Sequence, residues 1–190
     1  MSKIFKVFLA ALAIAIAILG IMGGYETSRR VKYPVAYGDL IAEYAKQNDL
    51  DPYLVMAVVK VESNFVPEAH SHVAYGLMQL TEETAAWNAN ELGITDYDFT
   101  DPETSIMLGC HYLRHLIDLY ENVDTALAAY NAGMGNVSAW LKNKEYSDDG
   151  ETLKYIPFPE TRSYVKKVNE SWEHYRTTNT PIGDEGDGEE

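Results

Sequence analysis

The spacing of apolar positions between residues 38 and 176 is helical, and no stretch alternates for long enough to read as a strand. Val55, Val58, Val59 and Glu62 fall at i, i+3, i+4 and i+7, so they share a helix face, while Lys60 points roughly the other way. Asp51-Pro52 starts this helix, with Asp as N-cap and Pro at the first helical position, and Asp101-Pro102 repeats the signal. The helix after Pro102 carries Ile106, Gly109, Cys110, Leu113, Ile117 and Tyr120 on one stripe. Asp124 opens a short helix that runs through Ala126–Ala132 and stops at Gly133. A last helix, after Pro157 and Pro159, places Val165, Val168, Trp172 and Tyr175 on one face. These elements predict an all-α (mainly α) domain with long loops.

The two ends break this pattern. Lys3 and Lys6 precede Val7–Gly24, a run of 18 uncharged residues. As a helix it would reach roughly 27 Å, close to the hydrocarbon thickness of a bilayer. Residues 1–24 therefore read as a membrane anchor or a signal segment. Ile21, Met22, Gly23 and Gly24 make a poor cleavage site, which favours the anchor. Arg29, Arg30 and Lys32 oppose Lys3 and Lys6, so the basic residues leave the topology open. Residues 25–37 read as a linker, with Tyr25, Tyr33 and Tyr37 as interfacial residues or filler. Residues 177–190 have no apolar period and finish in glycines and acids, which predicts a disordered acidic tail.

Composition narrows the classes. Among 190 residues, 46% are hydrophobic and 12% aromatic, a globular balance. Fifteen Lys and Arg against 29 Asp and Glu give a net charge of −14, the wrong sign for a general nucleic-acid binder, so no nucleic-acid partner is expected. Cys110 is the one cysteine, which excludes an internal disulfide and a cysteine-built metal site.

Glu62 closes an otherwise apolar stripe. It is either an exposed residue at a helix end or an acid held in a partly dry cleft, where desolvation would let it carry a proton near neutral pH. His111 and His115 lie one turn apart with Asp118 on the same face. Without a His-Glu-x-x-His signature they read as a solvated helix face, and neither a metal nor a cofactor is expected.

Four blocks follow one another along the chain. Glu62-Ser63-Asn64-Phe65 is the first, and Ser71 leads to the second, Tyr75-Gly76-Leu77-Met78-Gln79-Leu80. Ala128-Ala129-Tyr130-Asn131-Ala132-Gly133 is the third, and Ile156–Val165, containing Pro157, Phe158, Glu160, Thr161, Arg162 and Tyr164, is the fourth. In order and approximate spacing, residues 38–175 resemble the lytic transglycosylase domain of the soluble-lytic-transglycosylase type. The chain departs from that pattern twice: Ser71–Gly76 is one residue short, and Thr81-Glu82-Glu83 stands where the family often has Met-Pro.

The resemblance implies a lysozyme-like fold over 38–176. It also implies cleavage of the β-1,4 bond between N-acetylmuramic acid and N-acetylglucosamine in peptidoglycan, with a 1,6-anhydromuramoyl product. Glu62 matches the family's catalytic acid/base; Ser71, Gln79, Tyr130, Asn131 and Glu160 match positions that line the saccharide groove or support the acid. Tyr130 is expected to hold Glu62 or the substrate's acetamido group. No second carboxylate is assigned as a water-activating base, although Glu68 lies close in sequence. The rival readings are a lysozyme-like muramidase that uses water and a non-catalytic wall-binding module of an envelope machine. The expected partners are peptidoglycan strands, the membrane through the N-terminal segment, and envelope or division-machine proteins. The expected place is the bacterial cell membrane, single-pass, with the catalytic domain outside the cytoplasm, or free secretion if the segment is cleaved.

Overall fold

The computed structural model describes residues 32–98, 100–178, 180 and 182, together with Ile14, Ile16, Ile18 and Leu19. The chain divides into two units, 1–35 and 36–190. Among the described residues no helix is long and apolar enough to cross a membrane. Apart from those four positions, the anchor read at Val7–Gly24 lies outside them, as does the acidic run 183–190.

The second unit is mainly helical. Its helices are α1 (Gly38–Gln47), α2 (Pro52–Ser63), α3 (Glu82–Glu91), α4 (Pro102–Tyr120), α5 (Val123–Ala132), α6 (Met134–Leu141) and α7 (Pro159–Thr177). Two short strands, β1 (Ala74–Tyr75) and β2 (Leu80–Thr81), pair antiparallel, with Ala74 opposite Thr81 and Tyr75 opposite Leu80. Strands of two residues are too short to show alternation, and so they do not register as a period in the sequence.

α2 is the central element. The Asp51 side chain accepts from the Tyr53 N–H at 2.9 Å, which caps the helix as its Asp-Pro start predicts. The one-faced reading of this helix needs correcting, because Leu54, Val55, Met56, Ala57, Val58 and Val59 are all buried. α1 and α7 both pack against α2, so an apolar stripe covers only part of what the helix must bury. Lys60, Val61 and Glu62 are half-buried, and the helix then ends on two consecutive left-handed residues, Asn64 and Phe65 (φ 51° and 64°). Asn tolerates this conformation; Phe65 does not favour it and is held there by burial.

α7 runs antiparallel to α2. The Trp172 indole N–H donates to Asp51 Oδ2 at 2.7 Å at one end, and Tyr164 meets Glu62 at the other. Tyr164, Val165, Val168 and Tyr175 are buried along the shared face, while Trp172 is half-buried. Beyond the helix, Thr180 is buried and its N–H donates to the Tyr175 carbonyl at 3.2 Å, so packing reaches past residue 177.

α4 is capped by Asp101, whose carboxylate accepts from the Thr104 N–H at 3.0 Å. Its buried set is wider than the predicted stripe: Leu108, Tyr112 and Leu116 join Ile106, Cys110, Leu113 and Tyr120, whereas Ile117 is only half-buried. α1, α3 and α5 all pack on α4, and three neighbours need more than one stripe. α5 begins under the Asn122 side chain, which accepts from the Thr125 N–H at 2.9 Å, and ends at Gly133 (φ 86°) as expected.

Candidate active site

Glu62 sits in the last turn of α2. Its pKa is pushed up to about 7 from an ordinary 4.5, because the apolar surroundings desolvate the charged form. The Tyr164 hydroxyl, from α7, opposes part of this rise through its polarity. That hydroxyl is buried and reaches toward the carboxyl without closing a hydrogen bond of ordinary geometry. Glu62 as a whole is half-buried.

Tyr130, on α5, also feels the charge of Glu62, yet its hydroxyl is committed elsewhere. It donates to the Met78 carbonyl at 2.7 Å. Burial and the neighbouring Glu62 hold the phenols of Tyr130 and Tyr164 well above their usual range, so both remain neutral donors. Tyr112 packs behind Tyr130 with ring centroids 5.3 Å apart.

Met78 belongs to the turn between β1 and β2. Gly76 (φ 76°) and Gln79 (φ 47°) turn the chain, and the Gln79 side-chain amide donates to the Ala69 and Gly76 carbonyls at 2.8 and 2.9 Å. Gln79 thus braces the loop 69–79 from inside. From α4, the Ser105 hydroxyl accepts from the Met78 N–H at 3.1 Å, and Gly109 leaves just enough room for the Met78 side chain. A Cβ on Gly109 would lie 2.8 Å from Met78 Cβ.

Comparison with known proteins bears on this arrangement. The family model described as "Transglycosylase SLT domain" matches residues 39–153. The chain belongs to this family. It is 38% identical over 152 residues to the soluble lytic murein transglycosylase of Salmonella typhimurium, covering 76% of this chain and 24% of that protein. It is 42% identical over 161 residues to the membrane-bound lytic murein transglycosylase F of Desulfosudis oleivorans, covering 68% and 34%. Among solved structures, an inactive mutant of lytic transglycosylase Slt from Pseudomonas aeruginosa superposes with a TM-score of 0.69 at 34% identity, over 80% of this chain and 26% of that one. The chain spans about a quarter of the length of the soluble relatives it matches. As the four blocks implied, the fold is the lysozyme-like SLT fold.

Within this SLT domain the blocks meet unequally. The first, second and third come together through Glu62, Met78 and Tyr130, and the fourth joins through Tyr164. Ser71 is exposed in the loop, where its hydroxyl accepts from the Ala74 and Val73 N–H groups at 3.1 and 3.4 Å. Asn131 is half-buried at the end of α5, and Glu160 is exposed in the first turn of α7. Glu68 is exposed on the loop after Phe65.

The histidine reading needs correcting. His111 bonds Asn88 Oδ1 at 2.7 Å and His115 packs edge-on to Trp87 at 4.7 Å, so α3 partly covers the two half-buried histidines, while Asp118 on the same face is exposed as expected. Sequence reasoning also passed over Tyr164, Met78 and Ser105. Tyr164 lies inside the fourth block, four residues after Glu160, and that spacing on a helix was its available signal. Met78 acts through its backbone N–H and carbonyl, which residue type does not advertise, and Ser105 acts through a hydroxyl whose partner is 27 positions away.

Proposed function

We propose that the chain is a murein lytic transglycosylase that cleaves the β-1,4 bond between N-acetylmuramic acid and N-acetylglucosamine and leaves a 1,6-anhydromuramoyl end. The observation that carries this reading is Glu62, a carboxyl with an affinity for its proton suited to neutral pH, facing neutral phenols inside a domain of this family. Protonated Glu62 delivers its proton to the leaving glycosidic oxygen. The substrate's own acetamido group shields the anomeric carbon. The Glu62 carboxylate then takes the proton of the muramoyl 6-hydroxyl, which closes the anhydro ring and returns the acid to its starting form. One group serves both steps, so a second carboxylate is not required.

Ser71, Gln79, Tyr130, Asn131 and Glu160 line or shape the saccharide groove in this reading. Ser71 and Gln79 act by holding the loop that forms one wall; Asn131 and Glu160 offer polar groups to the glycan. Residues 38–176 form the catalytic domain, outside the cytoplasm, and residues 7–24 hold it to the bacterial membrane through the linker 25–37. Relatives named as membrane-bound and as soluble lytic transglycosylases both occur, and the anchor aligns this chain with the former. Envelope or division-machine proteins are its natural neighbours there.

Purified sacculi test the reading. The full chain should release soluble muropeptides, and Glu62→Gln should release them about 100-fold more slowly or worse with the fold retained. Equal release by the variant would remove Glu62 from the chemistry, and mature protein beginning near Tyr25 and free in the medium would replace the anchor with a signal peptide.

A further inference from the structure

An open cleft of about 360 Å³ lies where α4 and α6 end, lined by Leu119, Tyr120, Glu121, Leu141, Gly150 and Glu151. Sites for small ligands usually measure roughly 300–1,000 Å³. α5 begins at Val123, just past Glu121, and reaches Tyr130 roughly 10 Å further along its axis. The cleft is therefore apart from the site proposed around Glu62.

Its walls are fixed by their own bonds. Glu121 takes the left-handed conformation (φ 48°) that closes α4, and its N–H donates to the Ile117 carbonyl at 2.8 Å. The other wall is the turn 147–152, which Asp149 ties together. The Asp149 carboxylate accepts from the Glu151 and Thr152 N–H groups, both at 2.8 Å, and from the Ser147 hydroxyl at 3.0 Å. At Gly150 (φ 87°) the turn passes the end of α6, where a Cβ would meet the Leu141 carbonyl at 3.8 Å.

The lining accepts hydrogen bonds and carries negative charge. Glu121 and Glu151 are exposed, and among the described residues neither is paired with a cation. Lys144 and Lys154 turn to Asp148 instead: Lys144 Nζ donates to its carbonyl at 2.8 Å, and Lys154 pairs with its carboxylate. α4 and α6 add the negative ends of their macrodipoles, and the last turn of neither helix carries a basic residue. Lys142, just past α6, does not line the cleft. Tyr120 is buried and its hydroxyl has no hydrogen-bond partner, with Ser138 near it but outside ordinary bonding geometry. Buried hydroxyls are normally paired, so this wall is one partner short.

We propose that this cleft binds a primary ammonium group on a short aliphatic chain, carried by a basic side chain of a peptide or by a free diamine. An ammonium has three donors and no acceptor, which suits carboxylates and helix-end carbonyls. Leu119, Leu141 and the Tyr120 ring offer apolar surface to the methylenes, as neighbouring apolar groups do for lysine stems. An anion would meet two carboxylates and two helix C-termini, so charge excludes it.

NMR titration of the full chain in detergent micelles, followed at backbone amides, tests this. Cadaverine, a five-carbon diamine, and Nα-acetyl-lysine amide should each give saturable shifts at Glu121, Gly150 and Glu151. The neutral Nα,Nε-diacetyl-lysine amide should not. Glu121→Gln and Glu151→Gln should each weaken binding about threefold, the size of an exposed ion pair, and Glu121→Gln/Glu151→Gln together about tenfold. Both positions are exposed, so the variants keep the fold. Tighter binding of the lysine derivative assigns the site to a peptide side chain, and tighter binding of cadaverine assigns it to a free diamine. Absence of saturable shifts at the cleft, equal binding of the diacetylated compound, or an unaffected double variant overturns the proposal. Equal shifts spread over the other acidic surfaces of the chain overturn it too. Wall cleavage plays no part in the readout, so the result is independent of the reading of Glu62.

Discussion

Glu62 and Ser71 stand nine residues apart at the two sides of one proposed groove, and they are held by different physics. Glu62 closes a helix whose six residues from Leu54 to Val59 are buried, so its position is set by core packing against α1 and α7. The loop from Val66 to Val73 exposes both of those valines and is held by polar groups: Ser71 caps its own turn and Gln79 ties residue 79 back to residues 69 and 76. The acid side spends apolar area to desolvate a carboxyl, and the loop side uses side-chain bonds to shape backbone. A proton carrier needs a dry, fixed setting, whereas a wall that admits a polymer does not.

The largest expected contrast is with pH. Glu62 must start protonated, so kcat/KM should fall about tenfold per unit as pH rises beyond about 7, and no residue of the 66–75 loop should move that limb. A pH–rate profile of wild type and Ser71→Ala checks both halves. A limb near the ordinary carboxylate range would mean that burial is not setting the acid.

Stability should carry the same signature. Folded Glu62 keeps its proton to about pH 7, and the ordinary value is 4.5, so between these values the folded state binds more protons than the unfolded state. Stability should therefore fall as pH rises through that window, by up to about 3 kcal/mol, and flatten above it. Glu62→Gln should remove this slope in denaturant titrations at several pH values.

Next in size is Gly109→Ala, which places a methyl against Met78 from the core side. It should cost about 1–3 kcal/mol of stability and lower kcat more than it raises KM, because the Met78 carbonyl would shift under Tyr130. Smallest is Ser71→Ala, which removes an acceptor from an exposed turn. It should cost no more than about 1 kcal/mol in thermal unfolding and raise KM with kcat little changed. A larger stability loss for Ser71→Ala than for Gly109→Ala would reverse the comparison.

What the sequence disclosed follows the same division. Helix starts at Asp51-Pro52 and Asp101-Pro102 were legible because capping is local, and so was the stop at Gly133. Glu62 was legible as a carboxylate at the end of an apolar stripe, but its two readings separated only once the surrounding burial was known. α1, α3 and α6 were not assigned individually. The two-residue strands were too short to leave a period. The histidines of α4 read as solvated because nothing local says that α3 will cover them with Asn88 and Trp87. Tyr130 was legible as a donor expected near the acid, but its bond to the Met78 carbonyl joins positions 52 apart, and Met78 is itself held by Ser105, 27 positions away. Contacts of that kind are written in the tertiary structure, not in spacing.

The central claim is that one carboxyl both gives and takes the proton, with a substrate hydroxyl and not water closing the reaction. Mass spectrometry of muropeptides released from sacculi by the full chain tests it most directly. The account predicts products one water lighter than hydrolysis would give, with muramoyl ends that resist borohydride reduction. Mainly reducible ends would contradict it and make the enzyme a muramidase.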